Sequence, residues 1–380
     1  MAAQYADESR KIMTLKVLQL CCSPNKGGLE LYFANICNAL KDEVQVLAVI
    51  APDSKLQPLI HTEITTLPKK VHYLPLFAAK KLASIIDKRD IDVIHLHWNK
   101  DLTLAVLAKL CSKRKPKLVI TRHMKFPVMK DGLLHRFLYK HINHIMAITK
   151  TMAFDLKRFI PDDVRPDISV NYLGIDSVSP FTDEEVSKTR TLYDAENKHF
   201  LIALVGRIDA DKGHDLLLEA LAIAKARGLP FKVLVVGHPM QESYLQGLKE
   251  RVKAQGLQDK MLFLGFVDEP RCLMQACDVL VLATIEETFG LVLIEAMSVG
   301  TPVIGSNRGG VPEIIEDKYT GLLFESCDSQ SLFEALETLY LNPEQAKAYA
   351  SQACIKVQEK FDANTHIQTL LNTLKEVANG

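Results

Sequence analysis

Short apolar runs alternate with longer, mixed stretches along most of the chain. In the first half the runs Leu15–Cys22, Val44–Ala51, Val93–Trp98, Leu118–His123, Ile145–Thr149 and Ile168–Leu173 are nearly continuous in apolar character. Such runs predict strands buried on both faces, as in parallel sheets covered by helices. Between them Leu29–Leu40, Leu102–Leu110 and Leu133–Lys140 repeat apolar residues at helical spacing. The pattern then restarts. Phe200–Val205, Lys232–Val236, Met261–Phe266, Val279–Ala283 and Pro302–Ser306 predict strands, and Asp215–Ala226, Ser243–Ala254 and Leu291–Ser298 predict helices. Two successive strand–helix series predict an α/β protein of two doubly wound, Rossmann-like domains, with ligand loops at the carboxyl ends of the strands. The polar stretch Ser177–Lys198 reads as the linker, and Pro343–Gly380 reads as helix without strand.

The length of 380 residues fits two or three domains of ordinary size. The formal charge is zero, which disfavours a wholesale nucleic-acid binder. That zero conceals an imbalance. Residues 1–177 hold 27 Lys+Arg against 17 Asp+Glu, and the remainder holds 19 against 29. Two domains with different partners are one reading of this split, and drift in surface composition is the other. Eight cysteines without a CxxC pair predict a reducing compartment rather than a disulfide framework. The N-terminal MAAQYADESRK carries acids and no following apolar core, so no signal peptide is expected. No apolar run approaches the length of a membrane span.

Five short constellations bear chemistry. In Thr284-Ile-Glu-Glu-Thr-Phe-Gly-Leu-Val-Leu-Ile-Glu-Ala-Met297 a strand ends, Glu287 falls in the following loop, and Glu295 falls in the second turn of the next helix. The backbone N–H groups of Phe289, Gly290 and Leu291 are then candidate donors for an anion. Glu287 reads equally as a helix-start acid. In Val205-Gly-Arg-Ile-Asp-Ala-Asp-Lys-Gly-His-Asp215 a strand end carries Arg207 and Lys212, which suit a diphosphate or are simply surface cations. Asp209 and Asp211 within it fit helix capping better than a metal site. Ser23-Pro-Asn-Lys-Gly-Gly-Leu-Glu30 places Gly27 and Gly28 before the first helix, but it is neither a dinucleotide nor a P-loop motif. His95 and His97 sit near one strand end and His123 at another. For His95 a satisfied buried imidazole is favoured, whereas His123 is open between an ordinary loop residue and one that meets a ligand. Finally, Gly309-Gly-Val-Pro-Glu313 repeats the strand, glycine loop and helix arrangement.

In order, Gly27-Gly28, His123, Gly206-Arg207 with Lys212-Gly213, Glu287-x-Phe289-Gly290 through Glu295-Ala-Met, Gly300-Thr-Pro-Val and Gly309-Gly-Val-Pro-Glu313 resemble family 4 of the retaining glycosyltransferases. Asp176 and Phe181 match that family's interdomain turn, and Leu173 stands where Asn is usual. The resemblance implies the GT-B fold: an acceptor-binding domain over 1–177, a nucleotide-sugar domain over 178–360, the two facing across a cleft, and a C-terminal helix over 361–380 returning toward the first. It implies hexosyl transfer with retention from a nucleotide-diphosphate sugar to a glycan or lipid-linked hydroxyl, in lipopolysaccharide or other envelope polysaccharide synthesis. His123, Arg207, Lys212 and Glu287 would serve catalysis. Gly27, Gly28, Phe289, Gly290, Leu291 and Glu295 would bind the donor. No obligatory metal or other cofactor is expected, and no nucleic-acid partner. The expected location is cytoplasmic, peripheral on the inner face of the plasma membrane. This follows the family's habit and the basic stretches Lys113–Lys117 and Arg122–Lys130. On the same fold, a sugar-nucleotide epimerase or a non-catalytic sugar-nucleotide binder are the alternatives.

Overall fold

The computed structural model describes residues 15–68, 75–125, 128–177, 181–194 and 196–380. The N-terminal stretch read above for a leader therefore lies outside the described residues. In chain order the elements are β1 (Lys16–Cys21), α1 (Gly28–Leu40), β2 (Gln45–Ile50), β3 (Glu63–Thr66), α2 (Leu76–Arg89), β4 (Val93–Leu96), α3 (Leu102–Cys111), β5 (Lys117–Arg122), α4 (Leu133–Tyr139), β6 (His144–Ala147), α5 (Lys150–Phe159) and β7 (Asp167–Val170). They continue with α6 (Asp183–Tyr193), β8 (Phe200–Val205), α7 (His214–Ala226), β9 (Phe231–Val236), α8 (Glu242–Ala254), β10 (Met261–Gly265), α9 (Arg271–Ala276) and β11 (Val279–Leu282). The last are α10 (Leu291–Ser298), β12 (Val303–Ser306), α11 (Val311–Ile314), β13 (Leu322–Phe324), α12 (Ser329–Leu341), α13 (Pro343–Lys360) and α14 (Ala363–Asn379).

The chain divides into two units. One comprises residues 1–147, 155–169 and 367–380, and the other residues 148–154 and 170–366. The first contains a seven-stranded sheet ordered β3-β2-β1-β4-β5-β6-β7. Strands β3 to β6 pair in parallel. The second contains a six-stranded parallel sheet ordered β10-β9-β8-β11-β12-β13. In each sheet the winding reverses once, beside β1 and β4 in the first and beside β8 and β11 in the second. Right-handed crossovers send helices to opposite faces at such a reversal, leaving a crevice beyond the carboxyl ends of the two strands.

Burial explains the elements. Helix α1 turns Glu30, Phe33, Ala34, Ile36, Cys37 and Leu40 inward, a stripe at helical spacing. In the second unit, apolar residues of β8, β9 and β11 pack with α7, α8 and α12 around Phe231 and Phe333. The first unit's core receives Leu370, Leu371 and Leu374 of α14, which pack with Val17, Ile36, Val93 and Met146.

Three features differ from the expectations. Strands β3 and β13 were not foreseen, because Glu63-Ile-Thr-Thr is amphipathic and Leu-Leu-Phe is too short to show a period. Helices α2, α5, α9 and α12 also escape the apolar reading. The proposed linker Ser177–Lys198 carries α6, opened by a capping box. The Thr182 hydroxyl accepts from Glu185 N, and the Glu185 carboxylate accepts from Thr182 N at 2.8 Å. Arg190 fastens this helix by donating to the carbonyls of Ala276 and His199 and to the Asp278 carboxylate.

Because Leu370 is fully buried, Leu370→Ala should cost about 2–5 kcal/mol of unfolding free energy. Urea denaturation of the first unit's signal would detect it, and an unchanged midpoint would reject this packing.

Candidate functional site

The second unit's crevice is built from two loops. After β8 the chain runs Gly206-Arg207-Ile208-Asp209, a 3-10 turn over Ala210–Lys212, and Gly213 at φ 74°. A side chain on Gly213 would place its Cβ 2.0 Å from the Ala283 carbonyl oxygen, so only glycine allows the loop to lie against the end of β11. Ile285 N donates to Asp211 O, tying the second loop to the first. The Asp209 carboxylate accepts from Ala210 N at 2.8 Å, as a capping residue does. Among the described residues no group of three His, Cys, Asp or Glu is placed to hold a metal ion.

This contact brings Lys212 and Glu287 together. Lys212 Nζ donates to Glu287 Oε2 at 2.7 Å, and both side chains are largely covered. The other oxygen, Glu287 Oε1, accepts from Thr288 N at 3.1 Å. The sequence reading gave these residues separate tasks, whereas here each already neutralises the other. Arg207, in the same loop, is exposed, and its guanidinium approaches Met240 Sδ at 3.7 Å. Its charge and that of Lys212 are thus differently disposed, one open and one compensated.

Beyond Glu287, Phe289 is buried and Gly290 takes φ 106° as the N-cap of α10. Among the described residues nothing accepts from the amides of Phe289, Gly290 or Leu291. An eight-residue helix thus begins with donors available to an anion. Glu295 lies on the half-buried face of α10 that also carries Leu291 and Ser298. Burial raises its carboxyl above the usual range, the nearby Arg271 lowers it in part, and Glu269 adds to the rise. The loop after β12 closes against the site. Gly310 N donates to Glu287 O at 2.8 Å, and Gly309, at φ 65°, would put a Cβ 2.0 Å from that same oxygen.

Two aromatic residues in this unit escaped the sequence reading. His238 and Phe266 follow β9 and β10 and stack face to face, centroids 4.9 Å apart at 3°. Phe266 is 59% exposed. Each stands just past a glycine at a strand's carboxyl end, and that repeated position was the available signal.

In the first unit, Gly27 is the N-cap of α1 and Gly28 its first residue. Gly27 N donates to Glu30 Oε2 at 2.9 Å, and the Ser23 hydroxyl donates to the other Glu30 oxygen. Neither glycine has positive φ. A Cβ on Gly28 would meet nothing within 4 Å, so the fold itself does not require glycine there. His123 follows β5. Its ring meets that of Tyr32, one turn into α1, at 4.5 Å edge-on. It also stacks on His97 at 6.1 Å and 16°. His97 Nε2 donates to Gln19 Oε1, and His95 Nε2 hydrogen-bonds with Thr121 Oγ1, both at 2.8 Å. Burial, with His95 and His123 adding smaller effects, holds His97 well below the usual imidazole range, so it is neutral. The favoured reading of His95 as a buried, bonded ring agrees with this geometry.

Comparisons with known proteins bear on the whole chain. The family model described as glycosyl transferases group 1 matches residues 188–354, and that of glycosyltransferase family 4 matches residues 26–178. The N-acetyl-alpha-D-glucosaminyl L-malate synthase of Bacillus anthracis is 26% identical, over 92% of this chain and 93% of that protein. The N-acetylgalactosamine-N,N'-diacetylbacillosaminyl-diphospho-undecaprenol 4-alpha-N-acetylgalactosaminyltransferase of Campylobacter jejuni is 27% identical, over 73% of this chain and 74% of that protein. Among solved structures, Anabaena HepE in complex with UDP superposes with a TM-score of 0.84 at 22% identity, covering 95% of this chain and 100% of that one. The same protein in complex with UDP-glucose gives 0.82 at 23%, over 95% and 100%.

The Glu295 environment generates a pH prediction. A carboxyl raised on folding favours the folded state fully below its unfolded value, and that contribution is lost as pH rises through the folded value. Glu295→Gln should therefore gain stability over the parent as pH climbs from 4 toward 8. Parallel urea melts test this, and a gap that narrows with pH would contradict it.

With the paired strand-end loops, the α10 donors and these two family models together, the chain belongs to glycosyltransferase family 4, the glycosyl transferases of group 1 with the GT-B fold.

Proposed function

We propose that this glycosyltransferase moves a hexosyl group from a nucleotide-diphosphate sugar to a hydroxyl of a glycan or lipid-linked acceptor, with retention, in envelope polysaccharide or lipopolysaccharide synthesis. The observation that carries the donor half is the convergence of Lys212, Glu287 and the open amides of Phe289, Gly290 and Leu291 on the reversal between β8 and β11. Arg207, Lys212 and these amides hold the diphosphate. As the bond from the anomeric carbon to phosphate oxygen breaks, negative charge grows on the departing diphosphate, and preorganised donors stabilise it. Lys212 must loosen from Glu287 to do so, which leaves Glu287 an acceptor for donor-sugar hydroxyls. Glu295 takes the ribose hydroxyls. His238 and Phe266 offer a face on which a base can stack.

In the first unit, the space above Gly28 suits a phosphate, so Gly27 and Gly28 are assigned to the diphosphate and His123 to the donor sugar. The acceptor hydroxyl attacks on the face the leaving phosphate departs from. The new carbon–oxygen bond forms as the old one breaks, and the acceptor's proton passes to the departing phosphate. The charge needed at the diphosphate comes from Arg207 and Lys212, with no obligatory metal.

The first unit's surface supports a lipid-linked acceptor. On and before α4, Leu133 is 90% exposed, and Met124, Val128, Met129, Leu134 and Phe137 are also exposed. Lys125, Lys130 and Lys140 lie among them. Apolar side chains interspersed with cations suit an anionic bilayer. The other basic run is partly engaged in the fold, since Arg114 pairs with Asp92 and the Lys113 and Arg114 amides donate to Asp87. Among the described residues no helix is long and apolar enough to cross a membrane. The proposed location is thus the cytoplasmic face of the plasma membrane, held peripherally.

Nucleoside diphosphates, UDP first, should raise the melting temperature of the parent, since a ligand of the folded state stabilises it. Lys212→Ala should abolish that rise and lower transfer or hydrolysis of UDP-glucose, or of the best donor in the panel, by about 100-fold or more while remaining folded. Turnover equal to the parent would reject the assignment. Product analysis separates transfer from epimerisation and from binding alone. Sedimentation with anionic vesicles at low salt should recover the protein, and Leu133→Glu should release it. Equal recovery with both proteins would reject α4 as the docking face.

A further inference from the structure

Glu313 was singled out only as the end of the Gly309-Gly-Val-Pro-Glu motif, and nothing above gives it a task. Its carboxylate, on α11, nevertheless accepts four hydrogen bonds. One oxygen accepts from Thr151 N at 2.8 Å and Thr151 Oγ1 at 2.7 Å. The other accepts from Lys150 N at 2.7 Å and Tyr172 OH at 2.8 Å. Lys150 and Thr151 open α5, so the carboxylate also sits where a helix start favours negative charge.

These donors come from segments with a common property. The chain enters or leaves this unit through residues 148–154, 170 onward and up to 366. Glu313 grips the first at Thr151 and the second at Tyr172. The third is joined to the second: Asn171 Nδ2 donates to His366 O, His366 Nδ1 hydrogen-bonds with Tyr172 O at 2.7 Å, and Ile175 pairs with Asp362. The same residues reach the donor loop. Tyr172's ring lies 6.4 Å from that of Phe289, and both pack against Phe361. Three residues before Glu313, Gly310 bonds Glu287 O, and a Cβ there would stand 2.6 Å from Thr288 O and 2.9 Å from Thr149.

We infer that Glu313 is a positioning residue: with Tyr172 it fastens the three passing segments to the Gly309–Gly310 loop and thereby sets the Glu287–Thr288 backbone. Occupation of the amides at 288–291 is then transmitted to Lys150 and Thr151. Only this transmission, and its effect on turnover, rests on the donor reading above; the clasp itself does not.

Amide hydrogen exchange on the full chain, with and without UDP, tests both parts. Without ligand, Glu313→Gln should speed exchange at Lys150, Thr151 and Gly310 by about 10-fold, the loss expected for hydrogen bonds to a charged acceptor. Tyr172→Phe keeps the ring packing and should give a smaller change at the same amides. It guards against a Glu313 variant that fails to fold. In the parent, UDP should slow exchange at 288–291 and at 150–151 together; in Glu313→Gln it should slow only 288–291. Both variants should lower kcat for UDP-glucose hydrolysis per folded molecule, with the folded fraction taken from the amplitude of the unfolding transition, because loss of folded protein alone would lower the apparent kcat at unchanged KM. Unchanged exchange at 150–151 in both variants without ligand overturns the clasp. A UDP response at 150–151 that persists in Glu313→Gln overturns the transmission. If UDP, ADP and GDP all leave 288–291 of the parent unprotected, the donor reading fails, and the unliganded arm still decides the clasp.

Discussion

The reversal of strand order beside β8 and β11 is the constraint on which the second unit's candidate site depends. Helices that cross to opposite faces on either side of it leave the strand ends uncovered, and there the loops after β8 and β11 touch each other, with Ile285 N donating to Asp211 O. That meeting needs a backbone approach no side chain permits, which is why Gly213 presses on Ala283. The approach carries Lys212 to Glu287 across 75 residues of sequence. An ion pair of this kind is poor evidence for stability, because both charges lose hydration when covered. It is better understood as a pre-set arrangement. Each partner is held in orientation by the other, with both side chains largely covered.

The two units meet the problem of a polar floor in different ways. The second compensates charge with charge and leaves helix amides open. The first buries a layer of rings and polar side chains, in which His95 bonds with Thr121 and His97 with Gln19 beneath His123. Burial keeps the His97 imidazole neutral there, since a charged ring would lose its hydration. His123 consequently stands on a stiff aromatic base, with Tyr32 against its edge.

Much of this was legible in the residues, and the rest was hidden for identifiable reasons. Strands buried on both faces announce themselves, so Phe200–Val205 and Leu291–Ser298 coincide with β8 and α10 residue for residue. The β-branched, half-polar β3 and the three-residue β13 sit at sheet edges, where one side of the pattern is absent. Helix α6 lies in a stretch whose polarity suggests a linker, although Thr182 and Glu185 stand three residues apart, the spacing of its capping box. Candidate site residues were found by type and order. Their partnerships were not, because Lys212 with Glu287, His238 with Phe266 and Glu313 with Thr151 are each joined only by the fold. Spacing along a chain carries no record of such pairs.

The placement of α14 has a consequence for biogenesis. Leu370, Leu371 and Leu374 complete a core whose other members include Val17, Ile36 and Val93. A ribosome delivers those early residues long before it delivers the leucines that cover them. The amino-terminal sheet must therefore wait, with an apolar face uncovered, while the whole carboxyl-terminal sheet is synthesised. Maturation thus runs against the direction of translation, and the half made first is the last to be finished.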